Sequence, residues 1–161
     1  MILPKLKKGF TLIEILLVVA ILSILLVVVF AALNPASRLQ DTRNARRWND
    51  VNQILTAVHE CIVDNDGSLA TCGGLDALTD GTTYEIVDTG VVTGCDAACG
   101  AATDDCVSMQ TALQGTYMAD LPQDPGGAAT GHTSYGLTMS SGLVSISACS
   151  AEGGETIQVS R

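Results

Sequence analysis

The feature that most constrains this chain is an unbroken apolar run close to its N-terminus. Between Phe10 and Leu33 only Thr11, Glu14 and Ser23 carry side chains that are not apolar. As a helix rising about 1.5 Å per residue the run would extend roughly 36 Å, enough to cross a bilayer core of about 30 Å. Three fates suit such a run: a secretory signal, a membrane anchor or the core of a filament. Its length argues against the first, because a secretory apolar region holds about 7–15 residues, although Val29-Phe30-Ala31 has the small-residue character of a cleavage site.

Charge divides the rest of the chain. Seven of the eight basic residues flank the run, with Lys5, Lys7 and Lys8 before it and Arg38, Arg43, Arg46 and Arg47 after it. Charge bias alone therefore leaves its orientation open. From Trp48 onward fifteen acids face one base, Arg161, a balance that argues against a nucleic-acid surface. The four arginines beside the run have nearer partners in a membrane surface or in the acids of a neighbouring subunit.

All six cysteines, Cys61, Cys72, Cys95, Cys99, Cys106 and Cys149, follow the run. An even number in a region with few large apolar residues indicates a disulfide framework and an oxidising compartment. Cys61–Cys72 is the expected local bridge, since it would pin the end of a helix to the following loop. Cys106–Cys149 and Cys95–Cys99 are the other pairings considered. A metal centre would need paired short spacings, yet Cys95-Asp-Ala-Ala-Cys99 has no second pair like it, and His59 and His132 lie far off in sequence. Each histidine reads as an ordinary surface or core residue. No metal and no cofactor are expected, and no serine, cysteine and histidine arrangement or carboxylate pair points to an enzyme.

Beyond the run, Asn34-Pro35 interrupts the helical pattern. Proline is tolerated at the first position of a new helix with asparagine as its cap, so a kink or local break is expected. Trp48, Val51, Leu55, Val58 and Ile62 then recur at spacings of three and four, predicting a helix to about Val63 with one apolar stripe toward a core. Asn44, Arg47, Asn49, Asp50, Asn52 and Gln53 fall on its other face, solvated or between subunits. Asp64-Asn65-Asp66-Gly67 ends the helix; it resembles part of a calcium loop but lacks an acid at Ile62.

Fifteen of the sixteen glycines fall between Gly67 and Gly154, where short alternating runs predict strands and turns. Two hairpins are expected. Tyr84–Val87 and Val91-Val92 flank Asp88-Thr89-Gly90, and Tyr135–Met139 and Leu143–Ala148 flank Ser140-Ser141-Gly142. Thr156–Val159 reads as a last strand, Asp104-Asp105 as the start of a short helix through Leu113 that stops at Gly115, and Gly94 to Thr103 as a tied-down loop.

Lys7-Lys8-Gly9-Phe10-Thr11-Leu12-Ile13-Glu14 closely resembles the processing motif of type IV prepilins and type II secretion pseudopilins. The resemblance implies a membrane aspartyl peptidase that cuts between Gly9 and Phe10 on the cytoplasmic side and methylates the new terminus, which settles the orientation. Glycine leaves the scissile carbonyl open to close approach, and the lysines hold the leader at the cytoplasmic surface. An ionisable residue inside an apolar helix costs about 2.5–3.5 kcal/mol and tends to face a partner. For Glu14 the resemblance implies that this partner is the Phe10 amine of an adjacent subunit; without that context, Glu14 would reach lipid headgroups. Tyr117-Met118-Ala119-Asp120-Leu121-Pro122-Gln123-Asp124-Pro125-Gly126, followed by Tyr135, resembles the segment ahead of the hairpin in many pseudopilins and small pilins. Major pseudopilins continue into an aspartate-rich calcium loop, where this chain has Cys149-Ser150-Ala151-Glu152-Gly153-Gly154-Glu155. Taken alone, Asp-Pro-Gly-Gly is simply a turn.

The expected class is α+β: a long N-terminal α-helix packed on a small antiparallel β-sheet, pilin-like, with a disulfide-containing head. The expected divisions are a prepilin leader at 1–9, an apolar transmembrane or filament-core helix at 10–33, an amphipathic stem helix at 34–63 and an acidic, glycine-rich β head at 64–161. The expected function is that of a structural subunit of a type IV pilus-like surface filament serving adhesion, motility, DNA uptake or secretion. The alternatives are a type II secretion pseudopilin and a membrane-anchored extracytoplasmic binding domain that never assembles. Expected partners are identical or related pilin subunits, the prepilin peptidase and methyltransferase, and the cytoplasmic membrane before assembly, with the C-terminal domain outside; nucleic acid is not expected.

Overall fold

The computed structural model of the chain describes residues 9–88, 90–91, 93–95, 99–100 and 105–161. It divides into two units, Met1–Leu39 and Gln40–Arg161. In the first, the apolar run forms α1 (Leu12–Leu33), and none of its residues is buried. Asn34 closes the helix with a φ of 40°, in the left-handed region that asparagine tolerates better than most residues. Pro35 then opens α2 (Pro35–Asp64), at the expected break. Ring-fixed φ and the missing N–H suit proline to a first helical position.

Along α2, Val51, Ile54, Leu55, Ala57, Val58 and Cys61 are buried. They form one core with side chains that include Ile86, Val107, Tyr135, Leu137 and Ile146. Two parts of the expected helix pattern are corrected. Trp48, placed on the core stripe by its spacing, is 39% exposed, whereas Asn44, Arg47 and Asp50, placed on the open face, are buried. At 3.6 residues per turn Trp48 lies on the margin of the stripe, while Arg47 and Asp50 face the core, where hydrogen-bonding partners await them. The helix ends where Gly67 takes a φ of 84° and its N–H donates to the Ile62 carbonyl at 2.8 Å, so Asp64–Gly67 acts as a helix stop.

The sheet consists of β1 (Thr83–Val87), β2 (Cys106–Ser108), β3 (His132–Ser140), β4 (Leu143–Ala148) and β5 (Gln158–Ser160), in the order β2-β1-β3-β4-β5. Pairs β1–β3, β3–β4 and β4–β5 are antiparallel, but β1–β2 is parallel. The class is α+β as expected, with a mostly antiparallel sheet in place of a purely antiparallel one. β3 and β4 form the expected hairpin. Ser141 and Gly142, with φ of 51° and 83°, have the paired left-handed conformation of a two-residue turn whose twist matches the strands.

The other expected hairpin is absent among the described residues. Val91 lies in no strand, Thr89 and Val92 fall outside the description, and β1 has β2 on one side and β3 on the other. The helix expected from Asp105 is also corrected. Cys106–Ser108 is a strand, Val107 pairing with Ile86, and only Gln110–Leu113 is helical (α3); Asp104 is not described. Val107 is buried in the core, so cross-strand pairing and burial outweigh a weak local helix signal.

Three disulfides, Cys61–Cys72, Cys95–Cys106 and Cys99–Cys149, leave no free cysteine among the described residues. The first is the expected local bridge; the others replace Cys106–Cys149 and Cys95–Cys99. Cys106 lies in edge strand β2, with β1 and β3 between it and β4, the strand that Cys149 follows. Three strand spacings of about 4.8 Å each exceed the roughly 7 Å that a disulfide can span between Cα atoms. Cys99 instead crosses the outer face of β3. A Cβ on Gly136 would come 2.8 Å from its sulfur, so glycine makes room for the bridge.

Candidate functional site

Gly9 and Phe10 precede α1 in non-helical, exposed backbone. Among the described residues nothing lies within 4 Å of a Cβ built on Gly9, so packing within the chain does not require glycine there. Lys7 and Lys8 fall outside the description.

Thr11 and Glu14 form a reciprocal cap on the first turn of α1. The Thr11 N–H and hydroxyl both donate to Glu14 Oε2, at 3.0 and 2.9 Å, and the Glu14 N–H donates to Thr11 Oγ1 at 3.3 Å. The first N–H groups of a helix lack intrahelical acceptors, and an apolar environment supplies no water to satisfy them. The Thr-x-x-Glu pattern answers that need. From the sequence Glu14 is expected to act in assembly, with lipid headgroups as the alternative, although Thr11-Leu12-Ile13-Glu14 carries the signal for the cap. Its Oε1 keeps no partner among the described residues, so the carboxylate retains an open acceptor.

A second polar centre lies at the start of the Gln40–Arg161 unit. Arg47 donates from Nε and Nη2 to Asp124 Oδ2 and Oδ1 at 2.6 and 2.8 Å. Its Nη1 donates to Asn44 Oδ1 at 2.8 Å and Glu152 Oε2 at 3.1 Å. One turn earlier, Arg43 donates from Nε and Nη2 to the two oxygens of Glu152 at 2.6 and 2.7 Å. Asn44 Nδ2 donates to the Glu152 carbonyl at 2.8 Å, and the Glu152 N–H donates to Asn44 Oδ1 at 3.1 Å. The planar guanidinium matches a carboxylate in both pairs. Arg43 and Arg47, expected at a membrane or a neighbouring subunit, are thus engaged within their own Gln40–Arg161 unit. They fasten the Asp124-Pro125-Gly126 turn and the 149–155 loop to α2.

The hydrogen bonds with Asp124 raise the Arg47 pKa further above its already high ordinary value, against the effect of desolvation. Burial, then the hydrogen bond to Asp50, pushes the Tyr135 phenol up; its hydroxyl donates to Asp50 Oδ2 at 2.7 Å. Elsewhere in the sheet, buried Glu85 accepts the Ser134 N–H and lies against His132 Nδ1, both at 3.1 Å. These contacts support the register shift between β1 and β3.

The hydrogen bond from Arg43, followed by that from Arg47, lowers the Glu152 pKa from 4.5 to about 2. A depressed carboxylate pKa means that the unfolded chain binds the proton more readily, so this contribution is present above pH 4.5 and is lost as pH falls toward 2. Acid unfolding followed by the fluorescence of the single tryptophan should therefore show stability declining through that window, and Glu152→Gln should flatten the decline. The carboxylate is partly exposed, so added salt should weaken the effect.

Residues 4–30 match the family model for the prokaryotic N-terminal methylation motif, the class III prepilin signal of type IV pilins and pseudopilins. No curated protein and no solved structure matched the chain. The match takes in Gly9, Phe10 and Glu14 and most of α1, which is long and apolar enough to cross a membrane. Residues 4–30 thus carry the signal found on type IV pilin and pseudopilin precursors.

Proposed function

We infer that this chain is a structural subunit of a type IV pilus-like surface filament. A prepilin peptidase cuts between Gly9 and Phe10 and methylates Phe10. The cytoplasmic membrane holds α1, with residues 64–161 outside on the 34–63 stem, until identical or related subunits assemble through the 10–33 segment. The observation that carries this reading is α1 behind its methylation motif: 22 residues, overwhelmingly leucine, isoleucine and valine, with none buried. Removing one such side chain from water contributes about 1.5–3 kcal/mol, so this helix requires a cover of lipid or of other helices. The resemblance of Tyr117–Gly126 to pseudopilin segments supports a second reading, a secretion pseudopilin. Electron microscopy of cell surfaces, with mass spectrometry of sheared material, separates the two. Long filaments composed of this chain are expected, and their absence from cells that process it would overturn the pilus reading.

Processing has its own test. All three lysines precede Gly9, so cleavage leaves the Phe10 amine as the only amine in residues 10–161. Intact mass of envelope material should lack residues 1–9, and an amine-reactive reagent should add one tag, located on Phe10. A chain beginning at Ala32 would identify an ordinary exported protein and remove the filament reading.

A further inference from the structure

An open groove of about 610 Å³ runs along α2, between its Asn49-to-Glu60 face and the Tyr117–Asp120 segment. Its hydrogen-bonding character leans toward acceptors. The amide nitrogens of Asn49 and Asn52 are used on their own helix, donating to the carbonyls of Ala45 and Trp48 at 3.2 and 2.7 Å. The Thr56 hydroxyl likewise donates to the Asn52 carbonyl at 2.8 Å. Beside the Gln53 amide, the lining therefore offers mainly acceptors: the amide oxygens of Asn49 and Asn52 and the carboxylates of Glu60 and Asp120, the last also accepting from Gln114 Nε2. No lining residue is cationic. Such a surface suits a positively charged group with several donors, and a guanidinium has five in one plane. Tyr117 and Met118 supply apolar surface for the stem of the incoming side chain.

Residues 10–161 contain five arginines and no lysine. Arg38 is engaged within the chain, Arg43 and Arg47 are committed to Glu152 and Asp124, and Arg46 lies 3.8 Å from Asp50. Arg161 is exposed and has no ion pair among the described residues. Its backbone is pinned, with N–H and carbonyl bonded to those of Val144 at 3.1 and 3.2 Å, so its side chain projects from a defined point. Arg161 follows edge strand β5, whereas the Tyr117–Asp120 wall of the groove follows α3. We propose that this groove receives Arg161 of a second copy of the chain. Because donor and acceptor lie on different surfaces of the chain, the contact is heterologous, the kind that propagates into an open helical array.

The proposal rests on the assembly reading, and charge reversal in full-length, processed protein tests it separately. Arg161→Glu and Glu60→Arg should each reduce sheared filaments at least about tenfold by bringing like charges together at the contact. Processed, fully disulfide-bonded subunit should remain at the parental level. The combined Arg161→Glu/Glu60→Arg chain should regain filaments. If the parent assembles and Arg161→Glu does so equally well, or if the combination fails to restore assembly, the groove contact is wrong while the filament reading stands. A processed parent that makes no filaments overturns both.

Discussion

Glu14→Ala and Glu14→Gln chains are expected to be cleaved and retained in the membrane at parental levels, yet to yield few or no filaments. Insertion should not suffer, because both substitutions remove an ionisable group whose presence costs about 2.5–3.5 kcal/mol in a bilayer. The head should fold unchanged, because Glu14 belongs to a separate unit from Gln40–Arg161. On the proposed assembly reading, what disappears is attraction between the carboxylate and the Phe10 amine of the next subunit, which a low-dielectric helix core strengthens. The Thr11–Glu14 cap makes the pair of variants informative. Glutamine preserves an acceptor for the Thr11 N–H but has no charge, whereas alanine loses both. Filament loss in both variants assigns the role to charge. Loss in Glu14→Ala alone assigns it to capping, and normal assembly of both shows that Glu14 does not guide assembly.

The second large effect is expected at Arg47. Its side chain and that of Asp124 are 1% and 0% exposed, so Arg47→Met should destabilise the head by roughly 3–5 kcal/mol by leaving a buried carboxylate without its cation. Denaturation of the processed protein in detergent, followed through Trp48, would measure this. Arg47→Met combined with Asp124→Leu should recover most of the loss, since replacing a buried ion pair by apolar side chains of similar size is often close to neutral. Arg47→Lys should fall between, because an ammonium cannot make both parallel bonds to Asp124 or reach Asn44 and Glu152 as well. A change below about 1 kcal/mol in Arg47→Met, the range of an ordinary surface pair, would show that the Arg47–Asp124 pair does not secure the head.

The β3–β4 hairpin was legible because Ser141-Gly142 sits between two alternating runs and its conformation is a local matter. The stop of α2 at Gly67 and the Cys61–Cys72 bridge, only 11 residues apart, are local in the same sense. Strand β2 was hidden because its three residues carry a weak local signal and depend on pairing with β1. Arg47 was misplaced because a polar residue on a helix reads as solvated until its acid, 77 residues away, is known to lie opposite. The remaining disulfides were illegible for a related reason: strand order decides which cysteines can meet.

The sequence by itself determined the α1 segment, its processing motif and the α+β class. Those properties reside in contiguous residues, where apolar continuity, a Gly-Phe junction and helical or alternating periodicity act over one element at a time. Only the tertiary structure decided which charges are internal and which are open to a partner. It turned Arg43 and Arg47 into fasteners of the head, left Arg161 and the Asn49–Glu60 face open, and carried Cys99 across β3 to Cys149. Each of these outcomes requires residues distant in the chain to come within hydrogen-bonding or bonding distance, which depends on how the sheet and α2 pack together.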